Sequence, residues 1–148
     1  MPVIRVYAAI EVDLPDDVLW SEDQQNIVRP RGKNVIEAIC RGLEDQGHPC
    51  SHVEQFEDSG WALTTSIDRR SVWVVFLDGA PLLLGVEAGV SLISWMSRSA
   101  RANVRSRVID AFDAAMKTSG KLRSIQWIDA PSASAAVHQF IARPRGNA

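Results

Sequence analysis

The sequence is poor in the residues that carry out chemistry. Its 148 positions hold three histidines, two cysteines and one tyrosine. Two cysteines are too few for a disulfide framework, and a domain of this length buries roughly 70% of its unfolded surface without one. There is no GxSxG elbow, no GxxxxGK[ST] phosphate loop and no D-x-[DN]-x-[DN]-G calcium loop. Serine-hydrolase, P-loop nucleotide and EF-hand chemistry therefore have no motif to stand on. No apolar run approaches the roughly 20 residues that span a bilayer, and the longest, at 71–77 and 81–84, are strand-sized. No membrane partner is expected. The opening MPVIRVYAAIEVD lacks the basic stretch, apolar core and cleavage site of a secretory signal, so the expected compartment is the cytoplasm. A pI near 5.9 and the absence of any recognised motif weigh against nucleic acid.

What is present is a hydrophobic fraction of 46%, five tryptophans and an uneven distribution of charge. Residues 1–58 carry twelve acidic and five basic side chains; residues 59–148 carry six and eleven. Such a division can give a folded chain one acidic and one basic face, which suits a charged partner or self-association. No repeat and no linker interrupts the chain. A single domain over 1–148 is expected, with a mobile tail over 130–148 that holds a short helix near 135–141.

The stretch 60–94 decides the fold class. It reads as strands at 61–67, 71–77 and 82–91 joined by short polar turns, close enough for antiparallel hairpins. Ile4, Val6, Ala8, Ile10 and Val12 alternate with more polar positions and predict a first strand. Residues 16–33 read as a loop with one helical turn near 17–24. Asn34 is placed to cap a helix that runs to Gly47, with Glu37 completing a capping box. A polar strand is expected over 48–56, a second helix over 95–118 ending at Gly120, and a last strand over 122–128. The order is β-α-β-β-β-β-α-β: an α+β fold with a mostly antiparallel sheet of five to six strands and two main helices on one face.

Four groupings could carry function. On a strand, His48, Cys50, His52 and Glu54 would share one side, as ligands of one metal or as a thiol centre. Arg98, Arg101 and Arg105 fall within a wedge of about 60° on a helix, with Trp95 beside them. Together with Trp20 they form a candidate protein-binding surface. Arg29, Arg31 and Lys33 precede a helix N-terminus and could hold an anion there. Asp13, Asp16, Asp17, Glu22 and Asp23 read as a solvated acidic loop. Cys40 and Cys50 are close enough for a disulfide to be conceivable, and two thiols are expected. No cofactor is implied.

Residues 34–77, a capped helix ending in Gly47, a polar strand and a Gly60-Trp61 pair opening a hairpin, resemble small bacterial proteins of the toxin-immunity type. The resemblance covers under a third of the chain and implies a non-enzymatic protein that plugs a partner's surface. A protein-binding module is therefore the leading expectation. The alternatives are a metal-dependent or thiol enzyme at His48, Cys50, His52 and Glu54, and an anion-binding or small-molecule-binding domain that uses the Gly85 to Gly89 strand face with residues 29–33. A homodimer through an unprotected strand edge is also open.

Overall fold

The computed structural model describes residues 2–56, 60–79 and 82–128. In chain order the elements are β1 (Val3–Val12), β2 (Leu19–Trp20), β3 (Ile27–Arg29), α1 (Lys33–Asp45), β4 (Glu54–Phe56), β5 (Gly60–Ile67), β6 (Arg70–Leu77), β7 (Leu82–Gly89), α2 (Leu92–Met96), α3 (Arg98–Ser119) and β8 (Leu122–Ile128). Six strands form one antiparallel sheet in the order β4-β5-β6-β7-β1-β8, and β2 pairs with β3 as a separate ribbon. The fold is mixed α+β. The tail expected over 130–148 lies outside the described residues.

Alternation in β1 sorts its side chains between two faces. Val6, Ala8 and Ile10 join the main core with Leu63, Val74, Phe76, Leu84 and Val86. Onto this face α1 packs Val35, Ile36, Ile39 and Leu43, and α3 packs Val104, Val108, Phe112, Ala115 and Met116. The two helices approach closely at Gly42, where a Cβ would lie 2.3 Å from the Ala115 carbonyl oxygen. The opposite face buries Tyr7, Phe56, Ala62, Val75 and Leu77, with Trp73, Leu83 and Ile128 packed against them. On that face Arg5 and Glu87 are direct cross-strand partners, joined by an ion pair of 2.8 Å with Glu87 buried.

Four local readings of the sequence are corrected. Residues 16–33 contain the β2–β3 hairpin and no helical turn. Ser21 N–H donates to the Asn26 carbonyl, Gln24 N–H donates to Ser21, and Gln24 takes a positive φ of 58° that breaks any helix. The start of α1 is capped from a distance. Its N-cap is Gly32, with φ 106° and no side chain to offer, and Asp17 supplies the carboxylate instead. Asn34 lies inside the helix and donates from Nδ2 to the Pro15 carbonyl. The strand expected over 48–56 is reduced to Glu54–Phe56, because Pro49 has no N–H for a ladder and Cys50 makes only an isolated bridge to Thr65. Finally, the helix expected over 95–118 is two helices. Ser97, with φ −101° and ψ 122°, breaks it, and α2 begins three residues before Trp95.

Candidate functional site

Serines build the segment that follows β7. The Ser91 hydroxyl accepts a hydrogen bond from Ser94 N–H at 3.2 Å and opens α2, and the Ser97 hydroxyl accepts from Ala100 N–H at 3.2 Å and opens α3. Between these caps there is room for one turn, LISWM, and none of its residues is buried. Ile93 is 85% exposed, Met96 77% and Leu92 64%. Trp95 is partly covered by its own neighbour: the Arg101 guanidinium lies 5.4 Å from the indole centroid. A cluster of this kind costs solubility and adds nothing to the core.

The surroundings of the turn are basic. Between residues 88 and 109 there are four arginines and no acidic side chain. Arg98 and Arg101 lie in the first turn of α3, where the exposed N–H groups already place partial positive charge. Cations there are electrostatically unfavourable. Arg105, half-buried, follows one turn later. Arg107 turns toward the β5–β6 turn and pairs with Asp68, whose carboxyl it holds below its ordinary value. Arg101 and Trp95 thus come together, with Arg98 and Arg105 on the same helix as Arg101 and Leu92, Ile93 and Met96 on the same turn as Trp95.

Trp20 lies on a different element from this surface. It lies in the β2–β3 hairpin with Leu19 and Val28, all exposed. The chain on either side of that hairpin, at Asp16, Asp17, Arg31 and Gly32, borders a cleft with Ile10, Val12 and Leu82. The hairpin is therefore anchored where β7 begins, whereas α2 sits where β7 ends. Those two ends of β7 are seven residues of strand, roughly 23 Å, apart.

The other groupings are drawn apart or already satisfied. Arg31 Nε pairs with Asp78 at 2.5 Å, and its Nη1 lies 3.8 Å from Asp16. Gly32 N–H and Asn34 N–H both donate to Asp17, at 2.7 and 3.0 Å, so an internal carboxylate occupies the place expected for an anion. Lys33 lies over the Trp61 ring, 5.6 Å from its centroid, and 3.9 Å from Glu37. Arg29 is half-buried in β3 and is the exception, since its Nε is buried without a hydrogen-bond partner among the described residues. The adjoining cleft, about 510 Å³ in volume, is lined by Arg31, paired with Asp16 and Asp78, by Arg123, 3.9 Å from Asp13, and by Glu11 and Asp17.

His48, Cys50, His52 and Glu54 do not converge. His52 and Glu54 form an exposed pair at 3.0 Å. Cys50 is half-buried and directs its thiol at the Cys40 and His48 carbonyls. Among the described residues no three His, Cys, Asp or Glu side chains are grouped to hold a metal ion. Both cysteines are free. Burial and a hydrogen bond with Glu44 push the Cys40 thiol up to about 12, and burial also raises Cys50. Thiols so displaced stay protonated at neutral pH and are weak nucleophiles.

Leu92, Ile93 and Met96 were not singled out by sequence reasoning. Their signal was present: two apolar pairs, each flanked by serines, in the spacing S-L-I-S-W-M-S. Serine three residues before a helical N–H is a cap signature, and two of them in succession leave one turn between. No protein-family model matches the chain, and no curated protein does. No helix among the described residues is long and apolar enough to cross a membrane.

Proposed function

We propose that the protein is a non-enzymatic protein-binding module, and that it docks through the α2 turn and the arginines that open α3. One observation carries this reading: Leu92, Ile93 and Met96 stand exposed on a turn held by two serine caps, beside Arg98, Arg101 and Arg105. Apolar anchors surrounded by arginine are the composition of an interface centre and its rim. Arg98 also opposes the dipole of the helix it opens, so helix stability does not account for it. The resemblance of residues 34–77 to toxin-immunity proteins supports the same class, a binder that acts by covering a partner. The surface proposed for contact lies outside that stretch.

The test is a photocrosslinker placed at Ile93 in the full chain, irradiated in lysate of the cell that makes the protein. A single dominant adduct is expected. It is lost when Arg98, Arg101 and Arg105 are changed together to Glu. An adduct pattern that is diffuse, or one unchanged by the triple reversal, would count against the surface.

A further inference from the structure

We infer that a partner of the α2 surface is a second copy of this chain, which presents its β2–β3 hairpin. The inference rests on the docking reading above and names the occupant of that surface. The described residues expose seven large hydrophobic side chains, and they fall in two places: Leu92, Ile93, Trp95 and Met96 on α2, and Leu19, Trp20 and Val28 on the hairpin. The charges around the two places are opposite. The hairpin, residues 19–29, carries two carboxylates, Glu22 and Asp23, and one basic side chain, Arg29, whereas residues 92–105, from α2 into α3, carry three arginines and no carboxylate. Glu22 and Asp23 at the hairpin tip are exposed.

Both patches are solvent-exposed, so they do not cover each other within one chain. The hairpin is anchored at the Leu82 end of β7 and α2 at the Gly89 end, roughly 23 Å apart along the strand. Contact is left to neighbouring copies, apolar turn against apolar hairpin and arginine against carboxylate. Such an interface is heterologous, since each copy offers a different patch on each side, and it propagates head to tail into a ring or an open chain. Three or four side chains per patch fall short of the roughly 800 Å² per partner of a standard interface. The association is accordingly weak, with a Kd on the order of 100 μM, and it loosens as salt screens the charges.

The geometry sets a test that a symmetric dimer fails. Ile93→Asp blocks one patch and Trp20→Asp the other; Val28→Asp replaces the latter if Trp20→Asp does not fold by circular dichroism. Sedimentation of the unaltered chain from 5 to 500 μM is expected to show a mass that rises with concentration and falls in 0.5 M NaCl. Each variant alone is expected to stay monomeric. Mixed in equal amounts, they are expected to form a species of two chains and no larger one, because one open patch remains on each. A monomer at every concentration overturns the inference. So does self-association of the unaltered chain with no heterodimer in the mixture, which points to a symmetric contact such as strand-edge pairing. Co-sedimentation with phosphatidylserine vesicles that Ile93→Asp abolishes assigns the surface to lipid and overturns it as well. If the chain is monomeric and the Ile93 crosslinker still captures one other protein, the docking reading survives and only the self-pairing falls. If the crosslinker captures nothing, the docking reading falls too.

Discussion

The Arg101 guanidinium covers one face of the Trp95 indole, 5.4 Å from the ring centroid, and the same group bonds to the Trp95 carbonyl oxygen. This contact joins α2 to α3. A single turn of helix has no independent stability, and α2 buries none of its own side chains. Its shape therefore depends on the two serine caps and on Arg101.

Removing that contact tests the dependence. Cation–π pairs at exposed sites are worth about 0.5–1 kcal/mol. In Arg101→Ala, amide hydrogen exchange over residues 91–97 is expected to speed several-fold, while residues 104–116, whose apolar side chains lie in the main core, keep their protection. Equal acceleration of both segments would show that Arg101 supports the whole helix and has no special hold on the turn.

Arg98 is expected to trade stability against binding. It occupies the first position of α3, which has no acidic residue in its first turn. Arg98→Glu converts an unfavourable charge at the positive end of the helix into a favourable one, a gain of about 0.3–1 kcal/mol. A denaturant midpoint that moves upward while crosslinking from Ile93 declines is the expected result. A midpoint that moves down would mean that Arg98 has a structural partner that outweighs the helix dipole.

The main sheet was legible because its strands are long enough to show a period. β1 alternates over ten residues, and β5, β6 and β7 are separated by turns whose polarity interrupts an apolar pattern. α1 was legible from the stripe of Val35, Ile36, Ile39 and Leu43. The start of α1 was not, because its cap is Asp17, fifteen residues before Gly32 in sequence. Propensity is read locally, and a cap supplied by a distant loop leaves no local signal. The hairpin escaped for a different reason. Strands of two and three residues are too short to display alternation. The α2 surface was half legible: Trp95, Arg98, Arg101 and Arg105 were recognised as a group, but a strand ending at 91 and a helix starting at 95 left Leu92 and Ile93 between elements, with no role assigned to them. The break at Ser97 changes which side chains meet the solvent.

The two thiols predict a dependence on alkaline pH. Cys40 is raised from an ordinary value of 9.0 to about 12, chiefly by burial, and Cys50 is raised for the same first reason. A raised value in the folded state means that the unfolded chain gives up its thiol protons first. Above pH 9 the unfolded state therefore binds fewer protons, and stability falls as pH rises from there toward 12. Below pH 9 these groups contribute a constant amount. Urea titrations at pH 7.5, 9 and 10.5 are expected to show the decline, and Cys40→Ala with Cys50→Ala is expected to flatten it relative to the unaltered chain. Rapid reaction of either native thiol with Ellman's reagent at pH 8 would contradict the protonated state assigned to them.

The Arg5–Glu87 pair differs from the exposed ion pairs, because one member has left water. The Glu87 side chain is 2% exposed and that of Arg5 30%, at 2.8 Å, on strands that place the two residues directly opposite. Desolvation of a carboxylate costs several kcal/mol and is recovered only through its partners. Removing the cation therefore costs more than the pair contributes. Arg5→Met, which keeps the length of the stem, is expected to destabilise by about 3–5 kcal/mol in urea. Adding Glu87→Met to that variant is expected to restore most of the loss, since a buried ion pair and an apolar pair of similar volume are often close in stability. The non-additivity is the diagnostic. If the double variant is as unstable as the sum of the single ones, the two side chains act independently and the carboxylate is held by its other surroundings on that face. If the double variant recovers, the charge on Glu87 is tolerated in the sheet because Arg5 is across from it. The Tyr7 phenol beside them, raised by burial and by Glu87 and lowered by Arg5, is then expected to titrate higher still in Arg5→Met, where its absorbance at 295 nm reports the shift.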